Sequence, residues 1–170
     1  MRLNDRVRSK LAPRLAPTDA LRAVVLLSHA GAGWASSGGV VHGGGSLFSS
    51  AYAAQHGIDF DDPRLRAPLT QSWCAVTDDR LAFFAPSKTS VRPTPADEID
   101  SIALAGTALR WFDSTQLSST NRVFHFDFAD GTRLLSATMY KARLRRRPYN
   151  DEHELFVQAF GVAAAEVPPN

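Results

Sequence analysis

A run of basic residues near the end of the sequence is its strongest candidate for a binding surface. The cations of residues 141–147 are Lys141, Arg143, Arg145, Arg146 and Arg147. Cations this closely spaced can bind phosphate groups on a lipid headgroup or a nucleic acid, and each contributes about 1 kcal/mol near an anionic membrane. The alternative is a solvated loop in which Leu144 packs inward, and the sequence leaves both interpretations open.

Residue types that can catalyse reactions or bind metals are present, but they do not occur at the spacings that catalytic or metal-binding motifs require. The histidines lie without cysteine or carboxylate partners at metal-ligand spacing; they are His29, His42, His56, His125 and His153. A Gly-x-Ser-x-Gly nucleophile motif is missing. Asp59, Asp61 and Asp62 lack the glycine and terminal glutamate of a calcium loop. We therefore predict no catalytic residue, no metal site and no cofactor.

A long uncharged tract spans residues 23–57 and is rich in glycine, serine and alanine. Its glycines are not followed by Gly-Lys-Ser/Thr, and residues 31–33 lack the third glycine of the dinucleotide-binding pattern, so we predict no nucleotide site. We interpret residues 30–68 as a loop insertion. Two alternatives remain for it: a flap that docks on the domain, a partner subunit or a membrane, and a disordered segment.

Length and composition argue against several classes of protein. With 170 residues the chain fits one domain, and the balance of 19 basic against 17 acidic residues argues against specific nucleic-acid binding. Cys74 is the single cysteine, which predicts a buried thiol and fits a reducing compartment. The apolar run at residues 23–27 is too short for a signal peptide or a membrane-spanning helix. We expect a cytoplasmic protein that could attach peripherally to the inner face of the membrane.

Residues 1–19 predict a short basic amphipathic helix. Leu3, Val7 and Leu11 recur at steps of four, and basic residues occupy the other faces until Pro13. In one interpretation the three apolar residues pack on the sheet while the charges stay in water. In the other, the helix lies on anionic lipid.

Two hairpins are predicted from apolar runs around polar turns. An Asp78-Asp79 turn places Val76 opposite Leu81 and Cys74 opposite Phe83. This pairing leaves both faces of the hairpin apolar.

The second hairpin follows from Asp130-Gly131, a favoured two-residue turn. That turn would place Phe126 opposite Leu135 and Phe124 opposite Ala137. It predicts that Phe124, Phe126 and Phe128 face the core.

A C-terminal helix is predicted after residue 150. Asp151 and Glu154 resemble a capping box, and Gly161 is a natural C-terminal cap. The predicted apolar stripe consists of Leu155, Phe156, Ala159 and Phe160. Residues 162–170 should form a frayed tail.

Together these elements predict a mainly β (α+β) fold: an open barrel of about seven antiparallel strands capped by a C-terminal helix, with a short N-terminal helix. Three motifs carry a family resemblance: Ala-Val-Thr-Asp-Asp-Arg-Leu at residues 75–81, Pro-Ala-Asp-Glu-Ile at 95–99 and Phe-Ala-Asp-Gly at 128–131. In these motifs the chain resembles the bacterial pleckstrin-homology-like (PH-like) domains, which are related to the GRAM group. The resemblance covers residues 69–161, with residues 21–28 as a first strand.

This resemblance implies a PH-like domain over residues 20–161 and no shared catalytic residues. Such domains bind lipids, peptides or proteins and often assemble with copies of themselves. Phosphoinositide-binding members carry basic residues on the first two strands, a pattern that Arg22, Arg64 and Arg66 imitate only in part, because Arg22 begins its strand and the intervening loop is long.

We therefore expect a noncatalytic binding module that contacts a protein partner or an anionic membrane surface and self-associates as a homo-oligomer. The alternative is a hydrolase-like enzyme for a small ligand, with the glycine-rich segment as a flap over a pocket at the barrel mouth. His29 or His56 beside an acidic residue would favour the enzyme.

Overall fold

The fold was determined from a computed structural model that describes residues 3–29, 59, 62–66, 71–87, 93–116, 119–142 and 150–167. Its elements are helix α1 (Leu3–Leu11), strands β1 (Ala23–His29), β2 (Gln71–Val76), β3 (Arg80–Pro86), β4 (Pro95–Ala103), β5 (Ala108–Gln116), β6 (Ser119–Asp127) and β7 (Arg133–Ala142), helix α2 (Asn150–Gln158), and the short strand β8 (Ala164–Glu166). The prediction of a mainly β protein is confirmed. Most of the predicted insertion at residues 30–68 lies outside the described residues.

Within the described residues the strands form one sheet in the order β4-β3-β2-β1-β7-β6-β5-β8. Neighbours are antiparallel except β8, which runs parallel to β5. The sheet does not close on itself, because β4 and β8 are its two edges. β1 joins the two halves: it pairs with β2 along its length but meets β7 only where Ser28 opposes Ala137 and His29 opposes Ser136.

Aromatic rings fill the inner face of the sheet. Phe124, Phe126 and Phe128 are buried there, as their alternation along β6 predicts. Phe156 of helix α2 and Phe160, in the turn after the helix, join this face; their ring centroids lie 5.3 Å from Phe124 and 6.1 Å from Phe126, respectively. Tilted ring pairs at these distances contribute about 0.5–1.5 kcal/mol each beyond the burial of their area.

The predicted register of the β2–β3 hairpin is confirmed. Val76 opposes Leu81 and Cys74 opposes Phe83, and the N–H of Thr77 donates to the carbonyl of Arg80 across the Asp78-Asp79 turn. The inner residues of this hairpin join the aromatic core, whereas its outer residues pack under α1. Cys74 is fully buried, and burial raises the pKa of its thiol.

The predicted register of the β6–β7 hairpin is wrong by one residue. Phe126 opposes Leu134 and Phe124 opposes Ser136, because the loop has three residues, 129–131, closed by a hydrogen bond from Phe128 N–H to Thr132 O. Gly131 takes a φ of 82°, as three-residue hairpin loops require at that position. Since side chains alternate along a strand, a shift of one residue reverses the faces of β7.

Helix α1 packs on the outer face of β1–β3. Val7 and Leu11 are fully buried against a patch that includes Trp73 and Phe84. This arrangement corresponds to the first of the two interpretations of the N-terminal helix. The apolar side that would enter a membrane is covered by the sheet, and the basic Arg8 is half-buried.

Two predictions about the C-terminal region need correction. Leu155 is not part of the buried stripe of α2, since it is 42% exposed, and the buried positions next to Phe156 are instead the polar Glu152 and His153. The chain also does not fray directly after Gly161. Residues 164–166 form β8, and Val167 N–H donates to Trp111 O at 2.9 Å.

Candidate functional site

Of the five predicted anion-binding residues, the structure describes only the backbone of Lys141. The backbone of Lys141 pairs with Thr120 near the end of β7. Arg143, Arg145, Arg146 and Arg147 lie outside the described residues, so their assignment to one surface stays a prediction. The sequence places no carboxylate between Arg133 and Asp151, and removing the five cations would leave acidic residues in the majority. This basic segment (residues 141–147) therefore accounts for the positive net charge.

The three arginines that imitate a phosphoinositide pattern are each paired with carboxylates. Arg22 contacts Asp78 at 2.5 Å and Arg64 contacts Asp62 at 2.7 Å. The guanidinium of Arg64 also lowers the pKa of the Asp62 carboxyl through hydrogen bonds.

The third of them, Arg66, bridges Asp100 at 2.9 Å and Asp130 at 2.7 Å. A phosphate would have to displace these carboxylates to bind. Arg22 also lies at the β2–β3 turn, whereas Arg66 lies at the β6–β7 turn, so the structure does not unite the three in one pocket.

A buried polar row crosses three strands on the inner face. His29 of β1 contacts the hydroxyl of Ser72 on β2 through Nε2, at 2.5 Å, and that of Ser136 on β7 through Nδ1, at 2.6 Å. All three residues are fully buried, and the edge of the His29 ring approaches Phe83. A neutral imidazole donates a hydrogen bond from one nitrogen and accepts one at the other. One serine hydroxyl therefore accepts a hydrogen bond from the ring, and the other serine hydroxyl donates a hydrogen bond to it.

Burial decides the charge of His29. Desolvation lowers its pKa from 6.5 to about 4, so the ring is neutral near pH 7. A neutral imidazole held between two hydroxyls joins β1, β2 and β7 where the two halves of the sheet meet. Such a ring is a poor proton acceptor in the folded state, because accepting a proton would place a charge in the core.

The low pKa of His29 predicts acid sensitivity between about pH 6.5 and about pH 4. In that range the unfolded chain binds a proton at His29 and the folded chain does not, so the free energy of unfolding falls as the pH falls. We expect a loss of about 2 kcal/mol between pH 7 and pH 5, measured by urea unfolding. Carboxylates with lowered pKa, such as Asp62, lose their contribution only at more acidic pH.

The matched variants are His29→Gln, which should be less acid-sensitive over this interval, and His125→Gln, which should keep the sensitivity. His125 is a suitable control because it is only half-buried and lies on the outer face of β6, opposite to the face that carries Phe124 and Phe126. Equal acid sensitivity of His29→Gln and the wild type would contradict the assignment.

Helix α2 connects β1 and β7 where their pairing has ended. Glu152 accepts the backbone N–H of Val24 at 3.0 Å, and His153 Nε2 contacts the hydroxyl of Thr138 at 3.0 Å. The carboxylate of Glu152 also receives two hydrogen bonds from Arg8 of α1, at 2.7 and 3.0 Å. One buried glutamate therefore joins both helices to the first strand.

A buried cation holds the other side of α2. The side chain of Arg122 is only 3% exposed and contacts Asp113 at 2.7 Å and Glu154 of α2 at 3.1 Å. Its guanidinium carbon lies 4.2 Å from the centroid of the Trp111 ring, a cation–π geometry. Arg122 thus fixes α2 to the β5–β6 hairpin and holds Trp111 in place.

Sequence reasoning missed most of these polar residues. Ser136 and Thr138 alternate with Leu134 along β7, and the correct hairpin register would have placed all three on the inner face. Glu152 and His153 carried no such signal, because polar residues in the first turn of a helix are usually exposed.

No protein-family model and no curated protein matches this chain. Among the described residues, no group of three or more histidine, cysteine or acidic residues could hold a metal ion. Within the same part of the chain, helices long and apolar enough to cross a membrane are absent.

Proposed function

We propose that this chain is a noncatalytic PH-like binding module that acts through contacts with a protein partner or an anionic membrane surface. The observation that carries the proposal is the strand order β4-β3-β2-β1-β7-β6-β5, with a helix held between β1 and β7 where they separate. We take this arrangement as support for the proposed PH-like open barrel with a C-terminal helix.

The charge distribution supports the basic segment as the surface for the anionic partner. The arginines that the structure describes on the sheet are mostly neutralised by nearby carboxylates, as Arg22, Arg66, Arg80 and Arg110 illustrate. By contrast, residues 134–150 contain basic residues and no acidic ones. Clustered cations without acidic neighbours in the sequence are expected to attract an anionic surface, and salt weakens that attraction.

The test is co-sedimentation of the full chain with phosphatidylserine-containing vesicles at several salt concentrations. A variant with Arg143, Arg145, Arg146 and Arg147 changed to Gln should lose most of the binding, about 1 kcal/mol for each cation. The matched control changes four exposed arginines elsewhere, Arg6, Arg14, Arg22 and Arg110, and should bind nearly as the wild type does.

Equal loss in both variants would mean that only total charge matters and would contradict the assignment of the basic segment. Binding that is the same on neutral phosphatidylcholine vesicles would contradict an electrostatic mechanism. Light scattering of the protein without vesicles measures the expected self-association, and a strictly monomeric mass would contradict it.

The enzyme alternative is represented by the contact of His29 with Ser72 and Ser136, which pairs an imidazole with hydroxyl groups. The low pKa and full burial of His29 favour a structural role for this residue over the role of a general base. Hydrolysis of an activated ester that is lost in Ser72→Ala or Ser136→Ala would favour the enzyme instead.

A further inference from the structure

The chain covers part of one sheet edge with its own C-terminal segment. In β8, Ala164, Ala165 and Glu166 pair in parallel with residues 109–111 of β5. Beyond β8, the N–H of Val167 donates to the carbonyl of Trp111. The opposite edge of β5 pairs with β6 along all of β5. β8 is therefore a strand added to the completed hairpin from outside.

Few side-chain contacts hold β8 in place. Ala164 is half-buried and packs against the aromatic core, but Ala165 and Glu166 are exposed. Val162, just before β8, is fully exposed. Backbone hydrogen bonds thus provide much of the attachment, and a parallel pair this short is marginal. Backbone pairing depends little on sequence, so other extended segments could make the same bonds.

The sequence also prevents β8 from pairing with the rest of β5. Pro168 and Pro169 follow Val167. Proline has no backbone N–H to donate to a ladder, so this tail cannot continue regular pairing toward residues 112–116. A segment without proline could pair along more of β5 than the chain's own tail does.

Contacts that do not involve β8 hold the inner side of this edge. Trp111 carries the guanidinium of Arg122 on its ring, and Arg122 is held by carboxylates of β5 and α2. Leu109 is fully buried. A preorganised edge binds an extended segment with little loss of its own conformational freedom.

We propose that the outer edge of β5 is a binding site for an extended segment of a partner protein, and that β8 occupies it in cis as a competing pseudo-ligand. The partner segment would run parallel to β5, contain no proline, and place a small residue where Ala164 meets the core. This site does not include the basic segment, so the proposal can fail or succeed independently of vesicle binding.

The experiment uses the full chain and a fluorescein-labelled peptide with the sequence of residues 161–170 in which Pro168→Val and Pro169→Thr are introduced. The variant Ala164→Asp places a charge against the core and should release β8, while Ala165→Asp changes an exposed neighbour. We expect Ala164→Asp to bind the peptide about tenfold more tightly than the wild type, because it removes the high effective concentration of the cis tail. Ala165→Asp should bind the peptide as the wild type does.

Equal peptide affinity of the two variants, or no binding to Ala164→Asp, would overturn the proposal. The proposal would also be overturned if the wild type formed a dimer through its C-terminal tail and both aspartate variants abolished that dimer. The segment bound at the edge of β5 would then come from a second copy of this chain. If Ala164→Asp does not fold, amide hydrogen exchange of the wild type tests the proposal instead. The Val167 amide should exchange by local opening, faster than amides paired between β5 and β6, and exchange only through global unfolding would contradict the proposal.

Discussion

The variant Phe156→Ala should lower the free energy of unfolding by about 3–5 kcal/mol, the range for removing a fully buried ring and leaving a cavity. Phe156 is inaccessible to solvent and contacts the rings of Phe124, Phe126 and Phe160 at centroid distances of 5.3–6.2 Å. These contacts join α2 to the centre of the sheet. Urea unfolding at neutral pH measures the change.

Leu155→Ala is the matched control, because it removes an apolar side chain from the neighbouring, exposed position of the same helix. Its effect should stay within about 0.5 kcal/mol, as for other surface substitutions. Similar losses in the two variants would mean that α2 is rotated from the orientation described above. A small loss in Phe156→Ala would mean that α2 does not pack in the core.

The variant Glu152→Ala should cost about 3 kcal/mol. It removes the acceptor of the buried Val24 N–H and leaves Arg8 without its carboxylate, and an unsatisfied buried donor alone costs about 1–3 kcal/mol. Glu152→Gln should cost less, because the amide oxygen can still accept from Val24. The difference between the two variants separates the hydrogen bond from the ion pair.

A double-mutant cycle with Arg8→Ala tests whether the two helices are coupled through Glu152. Arg8 retains 31% of its side-chain exposure, so its charge is partly solvated once Glu152 is gone. We expect an interaction energy between about 0.5 and about 3 kcal/mol, the range for residues in direct contact. Additive effects would show that α1 and α2 are stabilised independently.

Local patterns predicted the first hairpin well and the second only in part. Around Asp78-Asp79 both strands are apolar on each face and the turn has two residues, so the pairing of Val76 with Leu81 followed directly. In the second hairpin, Asp130-Gly131 also forms a turn, but Ala129 enters the loop and shifts β7 by one residue. Periodicity identified the buried face of β6 correctly, whereas loop length determined that of β7.

Contacts between distant parts of the chain were beyond sequence reasoning. Glu152 is buried because Val24 and Arg8 surround it, and neither lies near it in the sequence. The strand at residues 164–166 is alanine-rich and short, and only the free edge of β5 makes it a strand. The basic segment was recognised from its composition alone, since clustered charge needs no tertiary contact to be visible.

Hydrogen–deuterium exchange of the full chain, with and without phosphatidylserine vesicles, tests most directly the central proposal that the basic segment binds an anionic membrane surface. The account expects slower exchange in residues 141–149 and the first turn of α2, and unchanged exchange in the β2–β3 hairpin. Protection confined to α1 or to the β2–β3 turn, or no protection anywhere in the chain, would contradict it.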